Sequence, residues 1–200
     1  RGGDDFPAGY LNPINIKTYK RIINIDSRFR KEYYKTKSTD FIMDLPDNFK
    51  FLEIGVYKGR VLTQVGTIAK MMNKKCSIIG VTPLSTAGDK YSKYKDIDYL
   101  NEIETNFKKF NNNNLDNLTI IKGFSQDENV IEKVSRHSKF NMIFIDGSHD
   151  YDDVVKDILN YSKMLSVNGY LILDDASLFL KDAYGKFLGH PDVGKACKDF

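Results

Sequence analysis

From Phe51 onward, short apolar runs alternate with longer segments in which apolar residues recur at helical spacing. Strands this apolar are buried on both faces of a parallel sheet. The alternation is the signature of βαβ units, so it predicts an α/β fold with a doubly wound, mostly parallel sheet. The runs are rich in Ile, Leu, Val and Phe: Phe51–Ile54, Ser77–Val81, Leu118–Ile121, Met142–Ile145 and Tyr170–Leu173.

The segments between these runs predict helices, so the elements are expected in the order β-α-β-α-β-α-β-α-β. Asn168-Gly169 is expected to stop the last helix before the final strand. No helix is predicted before the first core strand, so the cover of the sheet there is expected to be abbreviated or to come from elsewhere. The predicted helices are Val61–Met72, Ile97–Phe110, Glu128–Val134 and Val154–Leu165.

Residues 1–50 have a different character, because Gly and Pro punctuate two strand-like pieces, Arg21–Ile25 and Asp40–Leu45. We therefore divide the chain into an N-terminal appendage, 1–50, and an α/β domain, 51–200. The appendage mixes Tyr, Phe and Arg in extended segments, which suits docking to another protein. A strand pair that only packs against its own domain is an equally good interpretation.

The composition excludes several classes of protein. No apolar stretch approaches the roughly 20 residues of a membrane span, and the lysines are scattered among acids at a formal net charge of +3, which disfavours a nucleic-acid partner. With only Cys76 and Cys197, a disulfide framework is excluded and a reducing compartment such as the cytoplasm is expected. The chain starts at Arg1, which leaves a processed form or a fragment open.

The string from Glu53 to Gly59 lies where the first strand turns into the first helix, the position at which an open α/β sheet binds a nucleotide-like ligand. Gly55 would permit a tight turn and a close approach of the ligand. Gly59 would let the helix start nearby, and Glu53 could reach an amino group of the ligand. A plain strand-to-helix turn is the alternative interpretation.

Two acidic strings, Ile145–Tyr151 and Leu173–Asp175, follow neighbouring predicted strands. Both begin at carboxyl ends of strands, so their side chains are expected to converge on one crevice. Acids gathered there repel one another unless a cation lies among them, and oxygen ligands suit Mg²⁺, Ca²⁺ or Mn²⁺. Alternatively, these acids cap helices or pair with lysines.

Of the three histidines, only His149 has a predicted catalytic role. A neutral imidazole at His149 has a suitable pKa for taking a proton, although a surface loop histidine is the alternative. His137 and His190 show no partner pattern and stay unassigned. The remaining acids indicate a helix start with favourable placement in the helix dipole: Asp150, Asp152, Asp153 and Asp157.

Three strings in this order make Phe51–Ser177 resemble the class I S-adenosylmethionine (SAM)-dependent methyltransferases: FLEIGVYKG (51–59), FNMIFIDGSHDYDDVVKDI (140–158) and GYLILDDAS (169–177). The resemblance is greatest to the group of macrocin-type O-methyltransferases and cephalosporin-hydroxylase-like proteins. It implies a Rossmann-like domain whose complete form adds a helix and two strands after Leu173. The C-terminal part of the domain is therefore expected to be incomplete.

The resemblance also implies a SAM site. In the family the first string binds the methionine part of the cofactor, which assigns Glu53, Gly55 and Gly59 to that role. Asp146 is carried over as a further cofactor residue. The stretch after the third strand contacts the adenine in the family, which assigns Ser125 and Gln126. A helix N-cap in that stretch is the alternative.

One position departs from the family pattern. Thr82 stands where the family usually has an acid that binds both ribose hydroxyls. A hydroxyl makes one such hydrogen bond but not a charge-assisted pair, at a loss of roughly 1 to 2 kcal/mol. This difference is expected to weaken cofactor binding.

In metal-dependent relatives, acids at these strand ends bind a divalent ion that holds two substrate oxygens. The resemblance thus assigns Asp146, Asp174 and Asp175 as ligands of Mg²⁺ or Mn²⁺. His149 falls where related enzymes keep a base, which would take the proton from a substrate hydroxyl. The expected reaction is therefore O-methylation of a small hydroxylated acceptor, such as a sugar.

A second resemblance concerns the appendage. Ile23–Arg30, followed by Tyr33-Tyr34 and Ser38–Pro46, is similar to an N-terminal segment of proteins from large DNA viruses. It implies a viral origin, and hence the host cytoplasm or the virion as the location.

Two function hypotheses stay open. One is the SAM-dependent enzyme; the other is a catalytically inactive, methyltransferase-like structural or interaction protein associated with a virion. Thr82 and the short C-terminus favour the inactive protein. Five retained residues favour the enzyme: Glu53, Gly55, Asp146, His149 and Asp174. A protein partner docking on residues 1–50 and homo-oligomerisation are both compatible with the sequence.

Overall fold

The computed structural model describes residues 12–13, 21–25, 41–176 and 189–200. Its strands are β1 (Asn12–Pro13), β2 (Arg21–Ile25), β3 (Asn48–Ile54), β4 (Lys75–Thr82), β5 (Leu118–Lys122), β6 (Phe140–Ile145) and β7 (Leu165–Asp174). Its helices are α1 (Arg60–Met71), α2 (Tyr99–Phe110), α3 (Glu128–Ser135), α4 (Tyr151–Ser162) and α5 (Pro191–Asp199). The predicted alternation of strands and helices is confirmed, whereas Ser177, the last residue of the third string, lies outside the described residues.

The strands form one sheet in the order β1-β2-β7-β6-β3-β4-β5. All neighbours from β2 to β5 pair in parallel, and only β1 is antiparallel. From β3 the chain winds outward to β5 and then crosses back to β6, so the direction of winding reverses between β3 and β6. The predicted Rossmann-like, doubly wound sheet is confirmed, and this reversal defines where a crevice opens at the carboxyl ends of the strands.

Two apolar layers cover the faces of this sheet. On one face, α1 and α2 bury Leu62, Ile103 and Phe107 against β3 and β4. On the other face, α3, α4 and α5 bury their apolar stripes, including Val134 and Ile158. Burial on both faces explains why the core strands are almost continuously apolar.

The prediction of a strand-like piece at Asp40–Leu45 is wrong for the part that the structure describes, because residues 41–44 are helical. Ile42 and Leu45, three residues apart, are both buried in the layer beside α1. A spacing of three is helical, whereas a strand would bury every second residue. This turn supplies cover to the sheet just before the first core strand.

The strand-like prediction at Arg21–Ile25 is confirmed, and the backbone of this segment lies in the main sheet. β2 pairs in parallel with β7, from Arg21 opposite Tyr170 to Ile25 opposite Asp174. The first core strand also starts at Asn48, before the predicted boundary. The division of the chain at residue 50 stays a prediction.

The predicted helix end at Leu165 is wrong by one turn. α4 ends at Ser162, and Leu165 already pairs with Phe140 in the sheet. Asn168, in the left-handed region at φ 60°, lies inside β7 rather than at a helix end. None of the helices in the described ranges is long and apolar enough to cross a membrane.

Candidate active site

A cavity of about 440 Å³ opens at the carboxyl ends of the strands, at the reversal between β3 and β6. Its walls come from the turns after β3, β4, β5 and β6, at residues 54–57, 81–83, 123–127 and 146–148. The loop from residue 83 to 98, which joins β4 to α2, adds several more lining residues. We call this segment the 83–98 loop.

Gly55 lines the cavity, as predicted for a residue that lets a ligand come close. Its φ is +92°, and a Cβ there would lie 2.0 Å from the carbonyl oxygen of Asp146. Only glycine fits this turn, which packs directly on the backbone after β6. Glu53 and Gly59 do not line the cavity: Glu53 is buried on β3, and Gly59 is the N-cap of α1, packed against Ile103 of α2.

Thr82, Ser125 and Gln126 also line the cavity. The Thr82 hydroxyl accepts a hydrogen bond from the backbone N–H of Leu84 at 3.3 Å. The turn that contains Ser125 is tied to α4: the Tyr161 hydroxyl donates to the Ser125 carbonyl at 2.5 Å, and the Gln126 amide contacts the Asp153 carbonyl at 3.4 Å. The cofactor prediction for these three side chains stays untested, but their positions agree with it.

Asp157 lies in the middle of α4, because the helix begins at Tyr151. The sequence predicts it at the start of the helix instead. Its side chain is buried, and its Oδ1 has no hydrogen-bond partner among the described residues. Burial raises the pKa of Asp157 to about 7, although a hydrogen bond with the Ser125 side chain opposes the shift. The signal in the sequence was an acid inside the apolar stripe of Val154, Ile158 and Tyr161.

His149 is held by a partner that the sequence did not reveal. Asp89, from the 83–98 loop, lies 2.6 Å from Nδ1 of His149 and accepts the backbone N–H of His149 at 2.8 Å. Burial would lower the pKa of His149, but hydrogen bonds with Asp175 and Asp89 outweigh it and raise the pKa. Burial would raise the pKa of Asp89, but hydrogen bonds from His149 and Tyr91 outweigh burial and hold this pKa below its usual range.

On its other side, Nε2 of His149 is 3.3 Å from Oδ2 of Asp175. His190, at the N-cap of α5, brings its Nε2 to 3.8 Å from the same oxygen. Burial and the neighbouring His149 lower the pKa of His190, against the pull of Asp175 and Asp89. His190 had no assignment from sequence, because its position depends on how α5 returns to the sheet.

The acids predicted as metal ligands occupy two distinct environments. Asp146 lines the cavity, whereas Asp174 and Asp175 are buried at the end of β7. Within the described part of the chain, the one set of three donor groups whose ligand atoms all lie within 4.8 Å of one another is His149, Asp175 and His190. Asp175 therefore lies close to two imidazoles, and the assignment of Asp146, Asp174 and Asp175 as ligands of one ion stays a prediction.

This arrangement can bind an elongated small molecule beside a paired histidine. Asp89 lines the cavity and contacts His149. His149 itself does not line the cavity, although its chain neighbours Ser148 and Asp150 do. A cavity at a topological switch point, beside a titratable group held by a carboxylate, is the usual arrangement of an α/β active site. The geometry alone defines the class as an α/β protein with a small-molecule site.

Comparison with known proteins identifies the family. The sequence model of a methyltransferase domain matches residues 52–176. The match covers more than half of the chain. It begins at Leu52, the second residue of the FLEIGVYKG string, and ends at Ala176, two residues after β7. The chain therefore belongs to this methyltransferase family, as the sequence predicted.

A curated relative is an uncharacterized protein of Acanthamoeba polyphaga mimivirus, 31% identical over 132 residues. The match takes in 64% of this chain and 52% of the relative, so the chain spans about half the length of the curated relative it matches. This relative confirms the viral link expected from the N-terminal segment.

Two solved structures share the fold. The O-methyltransferase from Bacillus cereus in complex with SAH has a TM-score of 0.53 at 13% identity, over 87% of this chain and 67% of that one. The TDP-rhamnose 3′-O-methyltransferase of calicheamicin biosynthesis has a TM-score of 0.54 at 12% identity, over 86% of this chain and 71% of that one. They confirm the class I methyltransferase fold.

Proposed function

We propose that this chain is a SAM-dependent O-methyltransferase that acts on a small hydroxylated acceptor, such as a sugar. The observation that carries the proposal is the cavity, because Gly55, Thr82, Ser125 and Asp146 come from four different strand ends and line it together. Its volume of about 440 Å³ falls within the range of small-molecule sites. These residues fit a ligand with a nucleoside part and an amino-acid part, and SAM supplies an activated methyl group when bound.

The proposed role of His149 is to take the proton of the acceptor hydroxyl. Asp89 lies against Nδ1, so the proton of the neutral imidazole stays on that nitrogen and Nε2 is the basic atom. A base fixed in this way favours the deprotonated acceptor, while the cavity aligns the acceptor oxygen with the methyl group. An oxygen acceptor is supported because a hydroxyl has to lose its proton as its oxygen is methylated, and a neutral imidazole can take that proton.

A Mg²⁺ or Mn²⁺ ion at Asp146, Asp174 and Asp175 was predicted from the family resemblance. The residues fit such an ion only in part: all three are acids at neighbouring strand ends, but among the described residues they do not form a donor set within 4.8 Å. We therefore derive no step of the reaction through an ion at these acids. Titration of Mg²⁺ into the protein and into Asp174→Asn tests that site directly.

The experiment for the proposed function is calorimetric titration with SAM in the presence of a chelator. We expect saturable binding that Asp146→Ala weakens at least tenfold and that Asp152→Asn, an exposed acid on α4 outside the cavity, leaves unchanged. Gly55 is a poor choice for the variant, since any Cβ there meets the backbone of Asp146 and would disturb the fold itself.

Transfer is then followed with methyl-labelled SAM and a panel of hydroxylated acceptors, comparing the protein with His149→Ala. Labelled product that His149→Ala loses supports the enzyme. A folded protein that does not bind SAM at millimolar concentration contradicts the proposal and favours the inactive, scaffold-like alternative, in which Thr82 reflects a lost cofactor site.

A further inference from the structure

Three donor groups from three separate segments meet beside the cavity. His149 follows β6, Asp175 follows β7, and His190 precedes α5. Oδ2 of Asp175 lies 3.3 Å from Nε2 of His149 and 3.8 Å from Nε2 of His190. The two imidazole rings are 4.2 Å apart between centroids.

These separations are close to those around a bound ion. Ligands that lie about 2.0 to 2.2 Å from a tetrahedral ion are roughly 3.3 to 3.6 Å from one another. The two separations that involve Asp175 are thus within a few tenths of an ångström of this range, and all three donor atoms lie within 4.8 Å of one another. Hydrogen bonding alone accounts less well for the set, because the 3.8 Å separation between Asp175 and His190 is too long for a hydrogen bond.

The surroundings also match a metal site. Asp89 holds Nδ1 of His149 at 2.6 Å, which directs the lone pair of Nε2 toward Asp175 and His190. A histidine that ligates a metal usually has its other nitrogen bound to a carboxylate in this manner. The ring of Tyr91 stacks on His190 at 4.1 Å and fixes its orientation.

The cluster is shielded from solvent. The side chains of His149, Asp175 and His190 are 12%, 10% and 14% exposed. Low exposure reduces competition from water for the ligand atoms.

We propose that His149, Asp175 and His190 form a binding site for a transition-metal ion of the Zn²⁺, Co²⁺ or Fe²⁺ type. Two imidazole nitrogens and one carboxylate oxygen suit these ions, whereas Mg²⁺ prefers oxygen ligands only. Three protein ligands leave at least one position for water or for another oxygen ligand. This site shares Asp175 with the three-acid site predicted for Mg²⁺ but differs from it in the other two donors and in ion preference.

One consequence rests on the proposed function. Nε2 of His149 is the atom proposed to accept the proton of the acceptor, and an ion on that nitrogen occupies the same lone pair. The ion and the acceptor proton therefore compete for His149, so the ion is expected to inhibit methyl transfer through this base. Binding of the ion itself does not depend on the protein being a methyltransferase.

The test is titration of the metal-free protein with Co²⁺, followed by visible absorption, and with Zn²⁺, followed by calorimetry, both without SAM. We expect one ion per chain, and an affinity reduced at least tenfold in His190→Ala. Asp175→Asn is the second variant, because Asp175 has a φ of +53° and Asn tolerates that backbone conformation. His137→Ala, which changes the one histidine outside the cluster, is the matched control and should bind like the parent.

Equal Co²⁺ binding by the parent, His190→Ala and Asp175→Asn would overturn the proposal, as would displacement of Co²⁺ by equimolar Mg²⁺. The SAM titration is carried out separately in chelator, so the two results are independent. Ion binding without SAM binding would support the metal site and contradict the proposed methyltransferase function. SAM binding without ion binding would contradict the metal site and support the methyltransferase function.

Discussion

Thr82 lines the cavity at the end of β4, and its hydroxyl already accepts a backbone hydrogen bond from Leu84. Thr82→Asp introduces a carboxylate that can accept hydrogen bonds from two neighbouring hydroxyls of a bound ribose. We expect the affinity for SAM to rise about tenfold, since charge-assisted hydrogen bonds contribute roughly 1 to 2 kcal/mol more than neutral ones. Calorimetry measures the change. Thr82→Val should weaken binding, and equal affinities of all three proteins would mean that the ribose lies elsewhere.

His149 and Asp89 should control the pH dependence of catalysis in the metal-free protein. A base works in its neutral form, so kcat/KM should rise with pH through the pKa of His149, which its carboxylate partners raise above 6.5. Asp89→Asn removes one of the charges that stabilise the protonated imidazole. The midpoint of the profile should therefore move to lower pH, and the plateau should fall because the ring is less well oriented.

The measurement is kcat/KM over the range from about pH 5.5 to 9, where neutral and protonated histidine interconvert. His137→Ala serves as the control and should keep the parent profile. A midpoint that Asp89→Asn leaves in place would show that His149 does not provide the titrating group.

At the scale of elements, α4 supports the turn after β5, which forms one wall of the cavity. Tyr161 and Asp157, both buried on α4, contact Ser125 in the turn after β5. The pKa of Asp157 is raised from 3.8 to about 7, so the folded state binds this proton more tightly than the unfolded state does. Its contribution to stability is therefore fully present below about pH 4 and is lost as pH rises through about 7.

Asp157→Asn removes this titration while keeping the shape of the neutral acid. We expect the variant to unfold with a free energy similar to that of the parent near pH 4, and to be more stable by up to about 4 kcal/mol near pH 8. Urea unfolding at both values checks the difference. Asp152→Asn, exposed on the same helix, should show no such pH-dependent gain; a constant difference at both pH values would contradict a proton-linked role for Asp157.

The elements that sequence predicted best are those whose pattern depends on burial alone. Five apolar runs became β3 to β7, because a strand buried on both faces has no polar alternation to misread. Residues 41–44 were misread because one helical turn is too short to show a helical period. The end of α4 was misread because Leu165 is apolar and fits a helix or a strand equally well.

In the site, too, the sequence predicts the positions that follow from the strands and misses a contact made by a loop. Gly55, Thr82, Ser125 and Asp146 follow strand ends, and sheet topology brings the strand ends together at one crevice. Asp89 lies in a polar loop 60 residues from His149, and neither local pattern nor strand order predicts that contact. Contacts of this kind depend on how a loop packs in three dimensions, which a single sequence does not encode in any short motif.

At the scale of the whole molecule, β2 lies between β1 and β7 at one side of the sheet, and the backbone of residues 21–25 pairs with β7 along five positions. A chain that starts at Asp40 would leave that edge of β7 unpaired. We expect such a truncation to lower the thermal midpoint by several degrees and to promote association, since an unpaired edge strand is a template for pairing with another chain. Thermal unfolding and size-exclusion chromatography provide the test. If the truncated chain is as stable and as monomeric as the parent, the residues before Asp40 are dispensable for stability and for protection of β7.

The 83–98 loop lines the cavity, where we propose that the cofactor binds, and it also carries Asp89, the partner of His149. Its other contacts include exposed ion pairs of Lys90 with Asp150 and Asp192, which are weak in water, and the contact of the Tyr91 ring with His190. If the loop lifts to let a spent cofactor leave, Asp89 leaves His149 in the same movement. His149 would then lose its carboxylate partner at each product release. Binding of the next cofactor would restore the contact between Asp89 and His149.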